Sequence, residues 1–119
     1  MFTKFWKSVL DATNGIATVW REERNFRVEV VVMALVVLAM LVFKFSLLES
    51  ALLVVAIGMV LAGEILNTAL EDLCNKVEPE YDAIVGKIKD TVAAFVLVSS
   101  LSALIIGVLV FVHHFVVVL

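Results

Sequence analysis

The sequence predicts an all-α membrane protein in which one surface helix precedes three transmembrane helices. Hydrophobic residues make up 63% of its 119 residues and the mean hydropathy is +1.11, well above the values typical of soluble proteins. Its long apolar runs reach the length of about 18 to 20 residues that spans the hydrocarbon core of a bilayer. A chain of this size has room for one domain, covering 1–119.

Three apolar runs are the predicted transmembrane helices. They are 28–45, 50–70 and 91–112. Glu29 and Lys44 interrupt the first run near its two ends, Glu64 is the one charged residue of the second, and the third has none. Pro79 lies between the second and third runs, where it favours a turn.

The segment 1–27 has the pattern of an amphipathic helix. Its apolar residues recur at spacings of three and four: Phe2, Phe5, Trp6, Val9, Ala12, Ile16, Val19 and Trp20. Charged and polar residues fall mostly between them, which is typical of a helix that lies in a membrane interface. A helix that packs only against the other helices would give a similar pattern, so this alternative stays open.

The basic residues predict the orientation in the membrane. Five precede the first apolar run and three lie between the second and third, whereas the turn between the first two runs holds Lys44 alone. By the positive-inside rule, the N-terminus and the second loop face the cytoplasm. Because these residues form no basic block, we expect no nucleic-acid partner.

Four polar residues of the second run share one helix face. Glu64, Asn67, Thr68 and Glu71 stand at i, i+3, i+4 and i+7. An ionisable side chain inside a transmembrane helix is costly and therefore a candidate for function, although a paired structural carboxylate would also explain it. At this depth Glu64 could take a proton from a lipid hydroxyl, and Glu71, nearer the water, could hold Mg²⁺.

Other charged residues on the predicted cytoplasmic side have two interpretations each. Glu23, beside Glu22, could ligate a cation or belong to a solvated charged face. Lys89 and Asp90 could contact a nucleotide or anchor the third helix. No glycine-rich phosphate-binding motif is present, so an ATP site in this chain would consist of carboxylates, Mg²⁺ and lysine.

Two adjacent histidines, His113 and His114, stand near the opposite end of the third run. Adjacent residues of an α-helix do not share a face. Although two histidines could bind a metal ion, we therefore expect both to anchor the helix at headgroup level.

The segment Glu64-Ile-Leu-Asn-Thr-Ala-Leu-Glu71, with Lys89-Asp90 further on, closely resembles the signature of the small bacterial lipid kinases, the diacylglycerol kinase and undecaprenol kinase family. The resemblance also includes Glu23, Asn25-Phe26-Arg27 and Pro79-Glu80-Tyr81, and it covers nearly the whole chain. It implies a homotrimer in the bacterial inner membrane, with active sites on the cytoplasmic side.

The resemblance further implies transfer of the γ-phosphate of ATP to a lipid alcohol, with diacylglycerol as the first candidate and undecaprenol as the alternative. Glu64 matches the general base, Glu23 and Glu71 match ligands for Mg²⁺, and Asn67 would support Glu64 or the phosphates. The remaining matched positions are Glu80, Tyr81, Asp82, Lys89 and Asp90 for the nucleotide and Lys4 for the lipid.

Several residues depart from the family pattern. Asn75 stands where members often carry Asp, Asp82 stands where His is common, and Asp11 with Ala12 replace a Tyr-Ser pair. These departures concern the periphery of the nucleotide site and leave its centre intact. Pro79-Glu80-Tyr81 looks more like the undecaprenol kinase branch.

Two other classes of protein also have to be considered. A small proton-coupled exporter can have a membrane-embedded glutamate, but it usually has four spans and places that residue in the middle of the first. A non-enzymatic oligomeric scaffold would use the polar stripe for hydrogen bonds between helices. That scaffold would leave Glu71, Lys89 and Asp90 without a role.

Overall fold

The computed structural model describes residues 1–117, and all the regular structure in this range is helical. The elements are α1 (Phe2–Glu22), α2 (Arg24–Val42), α3 (Leu47–Val77), α4 (Ala83–Val112) and a terminal π-helical turn (His113–Val117). Three helices are long and apolar enough to cross a membrane: α2, α3, and α4 continued by the π-helical turn. The prediction of an all-α chain with three spans is confirmed.

The predicted ends of the first two helices, at residues 27 and 45, are wrong. Helix α1 ends at Glu22, before the extended backbone of Glu23, and α2 ends at Val42, before the left-handed Lys44.

Helices α3 and α4 begin before the apolar runs 50–70 and 91–112, because capping groups, not hydropathy, set where they start. Ser46 and Glu49 form a capping box at the start of α3, with Ser46 Oγ accepting from Glu49 N (3.1 Å) and Glu49 Oε1 accepting from Ser46 N (2.8 Å). Asp82 Oδ1 accepts from the first amides of α4. At Glu78 the chain leaves α3, because the following Pro79 disfavours a helical conformation there.

Helix α3 is the centre of the bundle and contacts α1, α2 and α4. Its buried residues are Glu49, Leu53, Ala56, Val60, Gly63, Thr68 and Cys74. From Glu49 to Gly63 they are spaced alternately by four and three residues, so they form one stripe. At Gly63 the stripe meets α4, where an added Cβ would lie 3.5 Å from Phe95 Cε1.

A sharp corner joins α1 to α2 at Glu23, which has an extended backbone between the two helices. The Arg27 guanidinium donates from Nη1 to the carbonyl oxygens of Trp20 (2.7 Å) and Arg21 (3.1 Å). These carbonyls belong to the last turn of α1, where no intrahelical donor remains, and a cation is favourable at that end of a helix. Arg27 and the buried Phe26 therefore fix the corner that carries Glu23.

The turn from α2 to α3 contains a strained residue. Lys44 has a φ of 54°, in the left-handed region that favours glycine. The amide of Phe45 donates to the carbonyl of Met40 (3.1 Å), the hydrogen bond of a Schellman motif with Lys44 at the position where glycine is usual.

At the same end of the bundle, two histidines contact one carboxylate. His113 Nδ1 lies 3.2 Å from Glu49 Oε2, and His114 Nδ1 lies 3.1 Å from Glu49 Oε1. The ring of Phe45 stacks on His114, with centroids 4.2 Å apart. The premise that these adjacent histidines cannot share a face is wrong, because the α-helix changes to a π-helical turn at His113 and both side chains reach Glu49. Their role as headgroup anchors stays a prediction.

Lys44→Gly is expected to stabilise the protein by about 0.5 to 1 kcal/mol. The substitution removes the steric cost of the left-handed conformation, partly offset by the greater freedom of glycine in the unfolded chain. Thermal unfolding in detergent micelles, followed by circular dichroism, measures the change. Lys44→Ala is the control, because it removes the charge and keeps the Cβ. Equal stability of the two variants would contradict this explanation.

Candidate active site

The polar face predicted on the second span lies near the C-terminal end of α3. Glu64 and Asn67 are half-buried and Glu71 is exposed. Asn67 Nδ2 donates to Glu71 Oε1 (3.3 Å), which links two members of the face. Thr68 is buried, and its hydroxyl donates to the carbonyl of Glu64 (3.0 Å), so it serves its own helix rather than the polar face.

Four carboxylates gather at this end of the bundle. Glu64 is close enough to Glu23 and to Glu71 for their charges to interact, and Glu29 is close enough to Glu64. We call Glu23, Glu29, Glu64 and Glu71 the acidic cluster. The cluster combines the corner before α2, the first turns of α2 and the polar face of α3. Because these like charges repel one another, the binding of a cation among them is favoured.

Glu29 is a member of the acidic cluster that sequence reasoning did not assign to the site. Its half-buried side chain lies on α2, and the sequence pointed to it only as an interruption of the first apolar run. A charged residue in a membrane-spanning helix is itself a signal of function. That signal could have identified Glu29.

Two buried polar atoms of this region have no hydrogen-bond partner within residues 1–117. They are Glu29 Oε2 and Asn67 Oδ1. Buried polar atoms are rarely left without a partner. The site therefore has acceptor groups available for water, a cation, a substrate hydroxyl or another polypeptide.

The donor chemistry of the acidic cluster suits a magnesium ion that arrives with phosphates. Over residues 1–117, no three His, Cys, Asp or Glu side chains come close enough together to hold a metal ion by themselves. Magnesium in phosphate-transfer sites is usually held by one or two carboxylates, and phosphate and water oxygens complete its coordination. Glu23 and Glu71 can supply carboxylates of this kind.

An apolar groove of about 460 Å³ leads along the bundle from Glu29. It lies over α3 between α2 and α4, whose backbones do not approach each other closely in the described part of the chain. Its lining residues are Glu29, Val32, Met33, Val36, Leu53, Ala56, Ile57, Val60, Ser100, Ala103, Leu104, Gly107, Val108 and Phe111. A groove with these walls can take up a hydrocarbon chain.

A second, polar pocket of about 680 Å³ lies at the start of α4. Of the residues assigned to the nucleotide, Tyr81, Lys89 and Asp90 line it, together with Lys87. Glu80 and Asp82 belong to the connection 78–82 beside this pocket and are not among its lining residues. Asp82 has a structural role, since its Oδ1 accepts from the amides that begin α4.

Lys4 stands apart from these groups. It is exposed in the first turn of α1. Along the axis of that helix it lies roughly 28 Å from Glu23, at a rise of about 1.5 Å per residue. Within one chain, therefore, the structure does not bring Lys4 to the acidic cluster.

A family model described as prokaryotic diacylglycerol kinase matches residues 11–111. The chain belongs to this family. It is 29% identical to the diacylglycerol kinase of Escherichia coli K12 over 114 residues, which cover 96% of this chain and 93% of that relative. It is equally 29% identical to the undecaprenol kinase of Bacillus subtilis 168 over 108 residues, covering 91% and 88% of the two chains.

Membership in the family confirms that the chain is a lipid kinase and favours neither the exporter nor the scaffold interpretation. The range matched by the family model contains the whole acidic cluster and the residues that line the polar pocket. Lys4 precedes the matched range. The two kinds of relative are equally similar to this chain, and one is named for diacylglycerol whereas the other is named for undecaprenol.

Proposed function

We propose that this lipid kinase transfers the γ-phosphate of Mg-ATP to the hydroxyl group of a membrane lipid, with diacylglycerol as the first candidate and undecaprenol as the second. The observation that carries the proposal is that Glu64, on the polar face of α3, is close enough to both Glu23 and Glu71 for their charges to interact. A carboxylate at this depth can contact a membrane lipid on one side and a water-soluble nucleotide on the other.

Glu64 is the proposed general base. Its carboxylate takes the proton of the lipid hydroxyl while the hydroxyl oxygen forms a bond to the γ-phosphorus and the bond from that phosphorus to the ADP oxygen breaks. Asn67 lies one turn further along the same face. Its Oδ1, which has no hydrogen-bond partner among residues 1–117, and its contact with Glu71 support a role in orienting Glu64 or the phosphates.

Glu23 and Glu71 are the proposed ligands for Mg²⁺. The bound ion would neutralise charge on the phosphates of ATP. Both residues lie beside Glu64 in the acidic cluster, so the γ-phosphate and the attacking hydroxyl would be held in one place.

The polar pocket is the proposed binding site for the rest of the nucleotide. Lys89 supplies positive charge to the phosphates, whereas Tyr81 and Asp90 offer an aromatic surface and a hydrogen-bond acceptor. Glu80 and Asp82 flank this pocket in the connection before α4. Because the Asp82 side chain caps α4, we expect Asp82 to contribute less to nucleotide binding than Glu80 does.

The apolar groove is the proposed site for the lipid chain. It begins near Glu29, which is close to Glu64, and continues between α2 and α4 into the depth of the membrane. Its hydrophobic walls discriminate weakly between chains, since one methylene is worth only about 1 to 3 kcal/mol. Lys4, on the amphipathic surface helix, would contact the lipid at the headgroup level.

The proposed assembly is a homotrimer in the bacterial inner membrane, with the N-terminus and the acidic cluster on the cytoplasmic side. The distribution of basic residues supports this orientation. Within residues 1–117, one buried polar atom each of Glu29 and Asn67 has no hydrogen-bond partner, and this supports, together with the groove between α2 and α4, association with further copies.

Replacing Glu64 by glutamine is expected to lower lipid phosphorylation by at least about a hundredfold, because the amide cannot take the proton of the hydroxyl. The assay measures transfer of labelled γ-phosphate from Mg-ATP to diacylglycerol and to undecaprenol in mixed micelles. The matched control is Asp72→Asn, which removes an exposed carboxylate of the same helix.

Retained activity in Glu64→Gln would contradict its role as the base. Failure of folded parent protein to phosphorylate either lipid would contradict the proposed substrates. Gel filtration and circular dichroism show whether each protein is folded, and the faster of the two reactions identifies the preferred lipid.

A mixture of Glu23→Gln and Glu64→Gln subunits is expected to stay inactive. Both Glu23 and Glu71 lie within reach of Glu64 in the same chain, so every cluster in a mixed oligomer would lack one residue. Activity is measured after the two proteins are unfolded together and reassembled. Parent protein treated in the same way is the control. Recovery toward the activity of the treated parent would show that the site is shared between subunits.

A further inference from the structure

Lys89 is held by an uncharged partner on the neighbouring helix. Its ammonium Nζ donates to Oδ1 of Asn75 at 2.6 Å, and this hydrogen bond joins the end of α3 to the second turn of α4. The distance is short, as expected when the donor carries a charge. The lysine side chain, which has many rotamers when free, is thereby directed to one place.

The amide of Asn75 positions Lys89 without neutralising it. Within residues 1–117, Lys89 forms no ion pair with a carboxylate. One of the three ammonium protons is used by Asn75, so two remain for another acceptor. A carboxylate at position 75 would occupy the same place and would cancel much of the charge that an incoming anion meets.

The surroundings of Lys89 suit a nucleotide phosphate. Lys89 and Lys87 both line the polar pocket at the start of α4, and Tyr81 gives that pocket an aromatic wall. Asn75 is exposed and is not among the lining residues, so its effect on a ligand has to pass through Lys89.

We infer that Asn75 is a positioning residue that strengthens nucleotide binding, because it holds Lys89 at the polar pocket and leaves the lysine charge available to the phosphates of ATP. This inference rests on the proposed function for the identity of the nucleotide.

The decisive variant is Asn75→Asp, which keeps the size and an acceptor oxygen and adds a negative charge. We expect the KM for Mg-ATP and the Kd for Mg-ATP to rise about fivefold while kcat stays within about twofold, since exposed ion pairs have effects of this order. The increase should shrink as ionic strength rises, because salt screens exposed charges.

The matched control is Lys76→Gln, which lowers the net charge by the same amount at the adjacent position of α3. Successive residues of a helix point in different directions, so this variant should leave the KM for Mg-ATP within about twofold of the parent value. Equal increases in both variants would show a general effect of net charge and would overturn the inference.

Asn75→Leu separates positioning from charge, because it removes the acceptor and adds no charge. We expect an increase in KM smaller than that of Asn75→Asp and independent of ionic strength. In a Lys89→Met background, Asn75→Asp should have no further effect on the Kd for Mg-ATP. A full effect in that background, or a change in kcat with an unchanged KM, would overturn the inference.

Direct binding of Mg-ATP, measured by calorimetry without lipid, distinguishes the failure of this inference from failure of the proposed function. If the parent binds Mg-ATP but phosphorylates no lipid, the proposed reaction fails and the Kd values of the variants still decide the role of Asn75. If the parent does not bind Mg-ATP, both fail. If the parent is active and the Asn75 variants match it in KM and Kd, only the role of Asn75 fails.

Discussion

Charge repulsion within the acidic cluster is the constraint on which the rest of the structure depends. Glu23, Glu29 and Glu71 are each close enough to Glu64 for their charges to interact. Without opposing interactions, this repulsion would move the four carboxylates apart. They are kept together because α3 packs against each of the other helices and because Arg27 fixes the corner at Glu23.

The same constraint links the fold to the proposed chemistry. Under the proposed function, carboxylates that repel one another in the absence of a cation would become ligands for magnesium, and the binding of Mg-ATP would relieve their repulsion. At the polar pocket, Lys89 is held by an amide rather than by a carboxylate. Its positive charge would thus be available to the phosphates of the proposed nucleotide.

The features that the sequence predicted best are those that lie within a single helix. Hydropathy was sufficient to predict the three spans, and the spacing from Glu64 to Glu71 was sufficient to place both residues on one face of α3. The helix ends were harder to predict, since Ser46 and Asp82 extend α3 and α4 beyond the apolar runs through hydrogen bonds that hydropathy does not measure.

Features that join different helices were not accessible from the sequence. The approach of Glu29 to Glu64 depends on how α2 packs on α3, and the bond from Lys89 to Asn75 depends on the crossing of α3 and α4. The two histidines that meet Glu49 were missed for another reason. A π-helical turn alters the direction of successive side chains, and no local residue pattern indicated that turn.

In the proposed mechanism, Glu23 and Glu71 of the acidic cluster hold the metal of Mg-ATP, whereas Glu64 is the general base. Electron paramagnetic resonance of Mn²⁺ with a non-hydrolysable ATP analogue tests it directly. The account predicts that Glu23→Gln and Glu71→Gln weaken binding of the metal-nucleotide complex by at least about tenfold. Glu64→Gln and the control Glu22→Gln should bind it as the parent does. Equal binding by all variants would contradict the account, as would a loss confined to Glu64→Gln.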